Sequence, residues 1–334
     1  MATTVFVTID TEVSMGGAWR DPALDPLSMD TCVYCRRGGR EHGVRAIMTI
    51  LEASGLPGVF FIDTAMAALF GRAAFTDLCQ EVLARGHDVQ MHLHPGARQY
   101  ALLRAQGGVH RPPNKTDLLS HYDVDTQAML IAEGRDLLKT CAGRLPVAFR
   151  AGSFAVGTNS FQAMTQAGIY WDFSTNLSCL DTTSPCAARI NVPYRMGLVT
   201  EFPVTQMIGR SLPGRGWRPL EVNCISGEEM AAALDQLCSG GAAVATIVLH
   251  SFGLLKNRVG RWESARPDMV VRRRFQTLCR LLDRRRGDLN VERVSDCAAA
   301  PGWAERVVSG PNVWPRTCWR DITLRHVGQA VSLM

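Results

Sequence analysis

Apolar, β-prone runs alternate with helical stretches along most of this chain, and that rhythm constrains its fold more than any other feature. Strands are expected over 4–10, 58–63, 91–94, 146–150, 169–173, 200–206, 220–224, 243–250 and 289–294. Between them, helices are expected over 44–53, 75–84, 125–140, 159–167, 227–237 and 268–284. In the last of these, Val271, Phe275, Leu278 and Leu282 form one apolar stripe at helical spacing. Gly55, Gly86 and Gly168 stand where helices should stop. Such alternation implies a parallel sheet, most economically a closed β/α barrel. At 334 residues, 46% hydrophobic and 20% charged, the chain can bury the core this requires.

In a barrel the chemistry gathers at the C-terminal strand ends, and the unusual polar residues fall there: Asp10 and Glu12, His92 and His94, Arg150, Asp172 and His250. Residues two apart on a strand share a face, so His92 and His94 can reach one metal ion. Two imidazoles and a carboxylate suit a catalytic zinc that keeps a position open for water. Of the two carboxylates, Asp10 lies within the strand and is expected as base, and Glu12 just after it as metal ligand. Arg150, beside Gly152, can keep a neighbouring carboxylate ionised. His250 emerges from a buried strand, where it could protonate a leaving group.

Three segments depart from the core pattern, about 14–41, 96–123 and 178–196, and long loops on a catalytic face are where substrate choice usually resides. The barrel is expected to span 1–300 and a C-terminal extension without clear periodicity to span 301–334. The chain opens on a strand with no signal-peptide pattern, and no apolar run approaches a membrane span. A cytoplasmic protein with reduced thiols is therefore expected, despite 11 cysteines. Cys32 and Cys35 have zinc-like spacing without a second pair. The net charge of +5 is modest, and nucleic acid is not an expected partner. Two arginine triplets, 272–274 and 284–286, read as a solvated helix face, with a phosphate-docking or membrane-surface patch as the alternative.

Five segments in this order resemble the motifs of NodB-type polysaccharide deacetylases, carbohydrate esterase family four. "TIDTE" at 8–12 looks like the family's "TFDD", and "GHDVQMHLHP" at 86–95 like "GHEIGNHTxxHP". "FRAGSF" at 149–154 is similar to "FRxPxG", "YWDFS" at 170–174 to part of the fourth motif, and "VLHSF" at 248–252 to the Leu-His pair of the fifth. Two departures stand out. Thr11 replaces the usual metal-binding Asp, leaving Glu12 to substitute, and the two histidines are two residues closer together than usual.

The resemblance implies a single distorted (β/α) barrel of about seven strands with long loops over the catalytic face. It also implies Asp10 as general base oriented by Arg150, His250 as general acid, and Asp172 as partner of His250 or of substrate. A divalent cation, zinc first, would be held by Glu12, His92 and His94. The reaction implied is hydrolysis of the acetamide of an N-acetyl sugar, free or lipid- or nucleotide-linked, with Phe154 and Trp171 as apolar walls. The motifs look most like a branch linked to surface-polysaccharide synthesis, for which peripheral membrane contact is conceivable; the oligomeric state is open. Two alternatives are hydrolysis of a non-sugar amide or cyclic imide on the same barrel, and carbohydrate binding without turnover.

Overall fold

The computed structural model describes residues 2–18, 21, 24–106, 117–179, 190–211, 214–258 and 261–317. Its first strand, β1 (Thr3–Thr11), is buried on both sides, as a central parallel strand must be. Val5, Val7 and Ile9 join the apolar layer beneath the helices, whereas Phe6 belongs to a separate inner cluster, with Thr8 and Asp10 on the same face. Six further strands run parallel to it. They are β2 (Val59–Asp63), β3 (Asp88–Leu93), β4 (Ala148–Ala151), β5 (Trp171–Asp172), β6 (Val199–Glu201) and β7 (Val244–His250). The order across the curled sheet is β7-β1-β2-β3-β4-β5-β6. Tyr194–Met196 pairs antiparallel on the outer edge of β6, and Leu289–Val291 pairs with the start of β1.

The gap between β6 and β7 holds no regular ladder. Pro203 follows β6 and lacks the N–H a ladder needs, so the expected strand over 200–206 breaks. Isolated backbone bonds bridge the gap instead: Thr205 N donates to Thr246 O at 3.1 Å and Val222 N to Val248 O at 3.2 Å. The segment expected as a strand at 220–224 thus contributes one bridge, Glu221 to Val248, and no strand.

The outer layer comprises α1 (Val44–Glu52), α2 (Arg72–Ala84), α3 (Pro95–Ala105), α4 (Val124–Ala142), α5 (Thr158–Gln166), α6 (Gly227–Ser239) and α7 (Met269–Arg284). Asp123 caps α4, a reciprocal Ser226–Glu229 box caps α6, and Asp268 caps α7. Helix α3 lies within a stretch expected to be irregular. Pro95 starts it, and its buried face is made of small residues, Gly96, Ala97 and Ala101, with Tyr100.

At the opposite end of the barrel, part of the C-terminal extension closes the interior. Trp303 lies 5.3 Å from Trp171 and 5.8 Å from both Phe6 and Phe202, ring centre to ring centre. Each such buried aromatic contributes roughly 1.5–3 kcal/mol. Phe6 is four residues below Asp10, roughly 13 Å along the strand. Trp171 therefore belongs to this floor and lines no substrate site, a correction to the expectation drawn from the motif.

Candidate active site

Residues in register on neighbouring parallel strands share a face. Asp10 pairs with His250, Asp63 with His92, and His92 with Arg150, which brings all five to the inner face at the C-terminal strand ends. Asp172 is different. It pairs with Phe149, whose ring sits in the outer apolar layer, so the carboxylate leaves the sheet on the side opposite Arg150. There it accepts from Ser174 Oγ at 2.5 Å beside Glu201, and burial raises its pKa despite the Glu201 and Ser174 bonds. It is not placed against His250. The carboxylate facing His250 Nδ1 is Glu221 Oε1, at 3.7 Å.

Arg150 is fully buried. Its Nη1 donates to Asp10 Oδ1 at 2.5 Å and to Thr8 Oγ1 at 2.9 Å, and its Nε donates to the Phe173 carbonyl at 2.9 Å. The Phe61 ring lies 4.4 Å from the guanidinium carbon. Nη2 is buried without a hydrogen-bond partner among the described residues.

Glu12 Oε2 lies 3.1 Å from His92 Nε2 and 2.7 Å from His94 Nε2, and Oε1 lies 4.0 Å from His250 Nε2. The far nitrogens are also fixed: His92 Nδ1 is 2.8 Å from the Arg150 carbonyl, and His94 Nδ1 is 2.9 Å from Asp117 Oδ2. Burial alone would push the Glu12 carboxyl up, but His94, the hydrogen bonds of both histidines and His250 hold it well below the usual range. Burial likewise opposes charge on His94, yet Glu12 and Asp117 carry it well above the ordinary imidazole value.

Two backbone features shape the pocket. A Cβ on Gly152 would meet the His94 ring at 2.6 Å, so only glycine admits the imidazole there. Ser153 and Phe154 follow at φ 54° and 56°, a left-handed conformation that non-glycine residues adopt at a cost of order 1 kcal/mol or more. The Phe154 ring is half-buried, 5.6 Å from the Arg150 guanidinium carbon.

Asp63, Asp117 and Glu221 escaped the sequence reading. Asp63 ends an expected strand, so its signal was present. It is fully buried, accepts from the Ala65 and His94 amides, and is raised by burial despite His94 and His92. Asp117 lies in a segment without periodicity and carried no signal. Cys32 and Cys35 are buried thiols raised to about 11 and about 12 by burial first; Cys32 Sγ donates to Ser28 O and Cys35 Sγ to Cys32 O. They hold the loop after β1, with both Sγ atoms turned to backbone carbonyls.

Glu12, His92 and His94 each offer one ligand atom, all within 4.8 Å of one another. With both Nδ1 atoms tied to oxygen, both Nε2 atoms face the shared carboxylate. That donor set and its outer bonds fit a divalent cation of the zinc type.

No protein-family model and no curated protein matches the sequence. Solved structures do. One assigned as a polysaccharide deacetylase from Mycobacterium smegmatis superposes with a TM-score of 0.50 at 19% identity, over 95% of this chain and 93% of that one. The PuuE allantoinase gives a TM-score of 0.50 at 16% identity, over 91% and 89%. A 4-alpha-glucanotransferase from Thermococcus litoralis gives 0.51 at 12%, over 89% of this chain and 40% of that one. At these identities the likeness establishes the fold, which is that of the NodB-type polysaccharide deacetylases.

Proposed function

We propose that this chain, built on the polysaccharide-deacetylase fold, is a metal-dependent N-deacetylase acting on an N-acetyl sugar or a sugar-containing intermediate. The observation that carries the reading is the inner-face arrangement of two functions side by side: the Glu12–His92–His94 donor set, and the buried Arg150–Asp10 pair beside His250. Glu12, His92 and His94 would hold a divalent cation, zinc first, which when bound acidifies water and polarises a carbonyl oxygen.

Asp10 is the base. Arg150 engages Oδ1, which fixes the carboxylate's orientation and leaves Oδ2 to accept the proton of the attacking water. His250 stands across the site and gives its Nε2 proton to the sugar nitrogen as the C–N bond breaks, so acetate and a free amine are released. Glu221 orients His250 from the Nδ1 side. Phe154 supplies an apolar wall for the acetyl methyl. A cytoplasmic site of action belongs to this reading, and among the described residues no helix is long and apolar enough to cross a membrane.

Acetate release and metal content, measured on purified protein over a panel of N-acetyl sugars, test the assignment. Asp10→Asn should retain metal and lose nearly all activity, and His92→Ala should lose both; full activity in either variant rejects the reading. The equal likeness to an allantoinase supports a second reading on the same residues, hydrolysis of a non-sugar amide or cyclic imide. Small cyclic amides in the same panel separate the two.

A further inference from the structure

Two β-hairpins rise beside His250, and both place cations opposite cations. The first, Arg36–Arg37 with Arg40–Glu41, turns at Gly38 and Gly39 with φ of 56° and 71°, and pairs Arg37 with Arg40. The second, Leu255–Arg258 with Arg261–Pro267, pairs Lys256 with Arg266. The second hairpin carries four cations over 255–267 and one acid, Glu263, which strand alternation puts on the face of Ala265, away from Arg266. Arg40 and Arg266 are exposed.

The hairpins are joined to each other and to the site. Arg37 Nη2 donates to the Trp262 carbonyl at 3.0 Å, Trp262 lies 5.6 Å from Phe252, and Phe252 lies 5.3 Å from His250, ring centre to ring centre. Below the first hairpin, Ser251 Oγ donates to the Cys32 carbonyl at 3.3 Å. Arg272 of α7 adds a further cation. Together with burial, Arg272, Arg40 and Arg37 hold the buried His42 below its ordinary value. The second arginine triplet differs, since Arg285 pairs with Asp235, and Arg286 pairs with Asp283 at 2.7 Å and binds the Ser54 carbonyl.

We infer that these two hairpins, with Arg272, form a subsite for a phosphoryl or diphosphoryl group borne by the sugar of the substrate. The inference rests on the deacetylase reading in one respect: His250 protonates the sugar's nitrogen, so the surface beyond His250 faces the sugar and not the acetyl group. Cations gathered on two joined hairpins suit the multiple oxygens and charges of a phosphoryl group, whereas a single carboxylate is satisfied by one arginine fork.

Pyrophosphate binding, measured by calorimetry at two salt concentrations, tests the subsite independently of catalysis. The wild-type protein should bind it with salt-sensitive affinity, and the Arg40→Gln/Arg266→Gln double variant should bind about tenfold or more weakly. Arg280→Gln, elsewhere on α7, should leave affinity unchanged. In acetate-release assays the double variant should raise KM for UDP-N-acetylglucosamine or for a prenyl-diphosphate N-acetyl sugar, and leave KM for N-acetylglucosamine unaltered. Whichever of the two diphosphate sugars is turned over identifies the carrier. Equal pyrophosphate affinity in wild type and double variant overturns the subsite, as does capture by anionic vesicles that pyrophosphate neither matches nor displaces. Pyrophosphate binding lost in the variant, with no acetate released from any sugar, supports the subsite and rejects the deacetylase reading. Acetate release indifferent to the phosphoryl group does the reverse.

Discussion

Replacing Gly152 by Ala adds one carbon where the site has no room. The new Cβ would lie 2.6 Å from His94 Cε1 and Nδ1 and 2.7 Å from Cγ, across the ring and not at a flexible tip. Ordinary carbon contacts are about 3.5–4.0 Å, so the imidazole must retreat by roughly 1 Å. Its bonds to Glu12 at 2.7 Å and Asp117 at 2.9 Å then stretch beyond useful hydrogen-bonding distance. A hydrogen bond involving a charged group contributes about 1.5–3 kcal/mol. The Glu12 bond is well shielded, but Asp117 is 36% exposed and its share is screened. The expected loss is therefore about 2–4 kcal/mol, which for a domain of this size lowers Tm by roughly 3–6 °C. Because His94 is one of the proposed ligands, zinc affinity should fall by about 10- to 100-fold. Thermal unfolding with chelator, and again over a zinc titration, separates the two effects. A variant that melts like wild type and binds zinc equally well would refute the placement of His94 against Gly152.

Two further substitutions probe the buried charges. Arg150→Met leaves the Asp10 carboxylate in the interior without its cation, and denaturant unfolding should show a loss of about 3–5 kcal/mol; a loss below about 1 kcal/mol means the pair is not buried as described. Asp172→Asn tests the outward placement of that residue. Asp172 is an acid with a raised folded-state pKa, so it contributes stability below its unfolded value that is lost as pH rises through the folded one. The variant, which keeps an acceptor for Ser174, should match wild type near pH 4, exceed it in stability at pH 7–8, and retain activity. Loss of activity with an intact fold would return Asp172 to the catalytic side.

Much of the fold was legible because burial on both faces of a parallel sheet forces long apolar runs and amphipathic helices between them. The helices over 44–53 and 268–284 were expected within a residue or so of α1 and α7. Helix α3 was missed because its buried face is mostly glycine and alanine, which give no apolar period. The strand over 200–206 was misread because Pro203 sits inside a run that otherwise looks β-prone.

The sequence by itself determined which ionisable groups stand at strand ends, since alternation and chain direction are local properties. It also determined that His92 and His94 share a face, because two residues of strand return a side chain to the same side. Tertiary structure decided the rest. Only register between strands separates Asp172, level with Phe149, from Arg150 one position on, which points the opposite way. Only the folded loops bring Asp117 to His94 and Glu221 to His250 across 23 and 29 residues of chain. Trp171 likewise became part of the floor when Trp303, 132 residues later, stacked on it. Contacts of that range leave no periodic trace in a single sequence, because their partners are fixed by how the elements pack and not by local spacing.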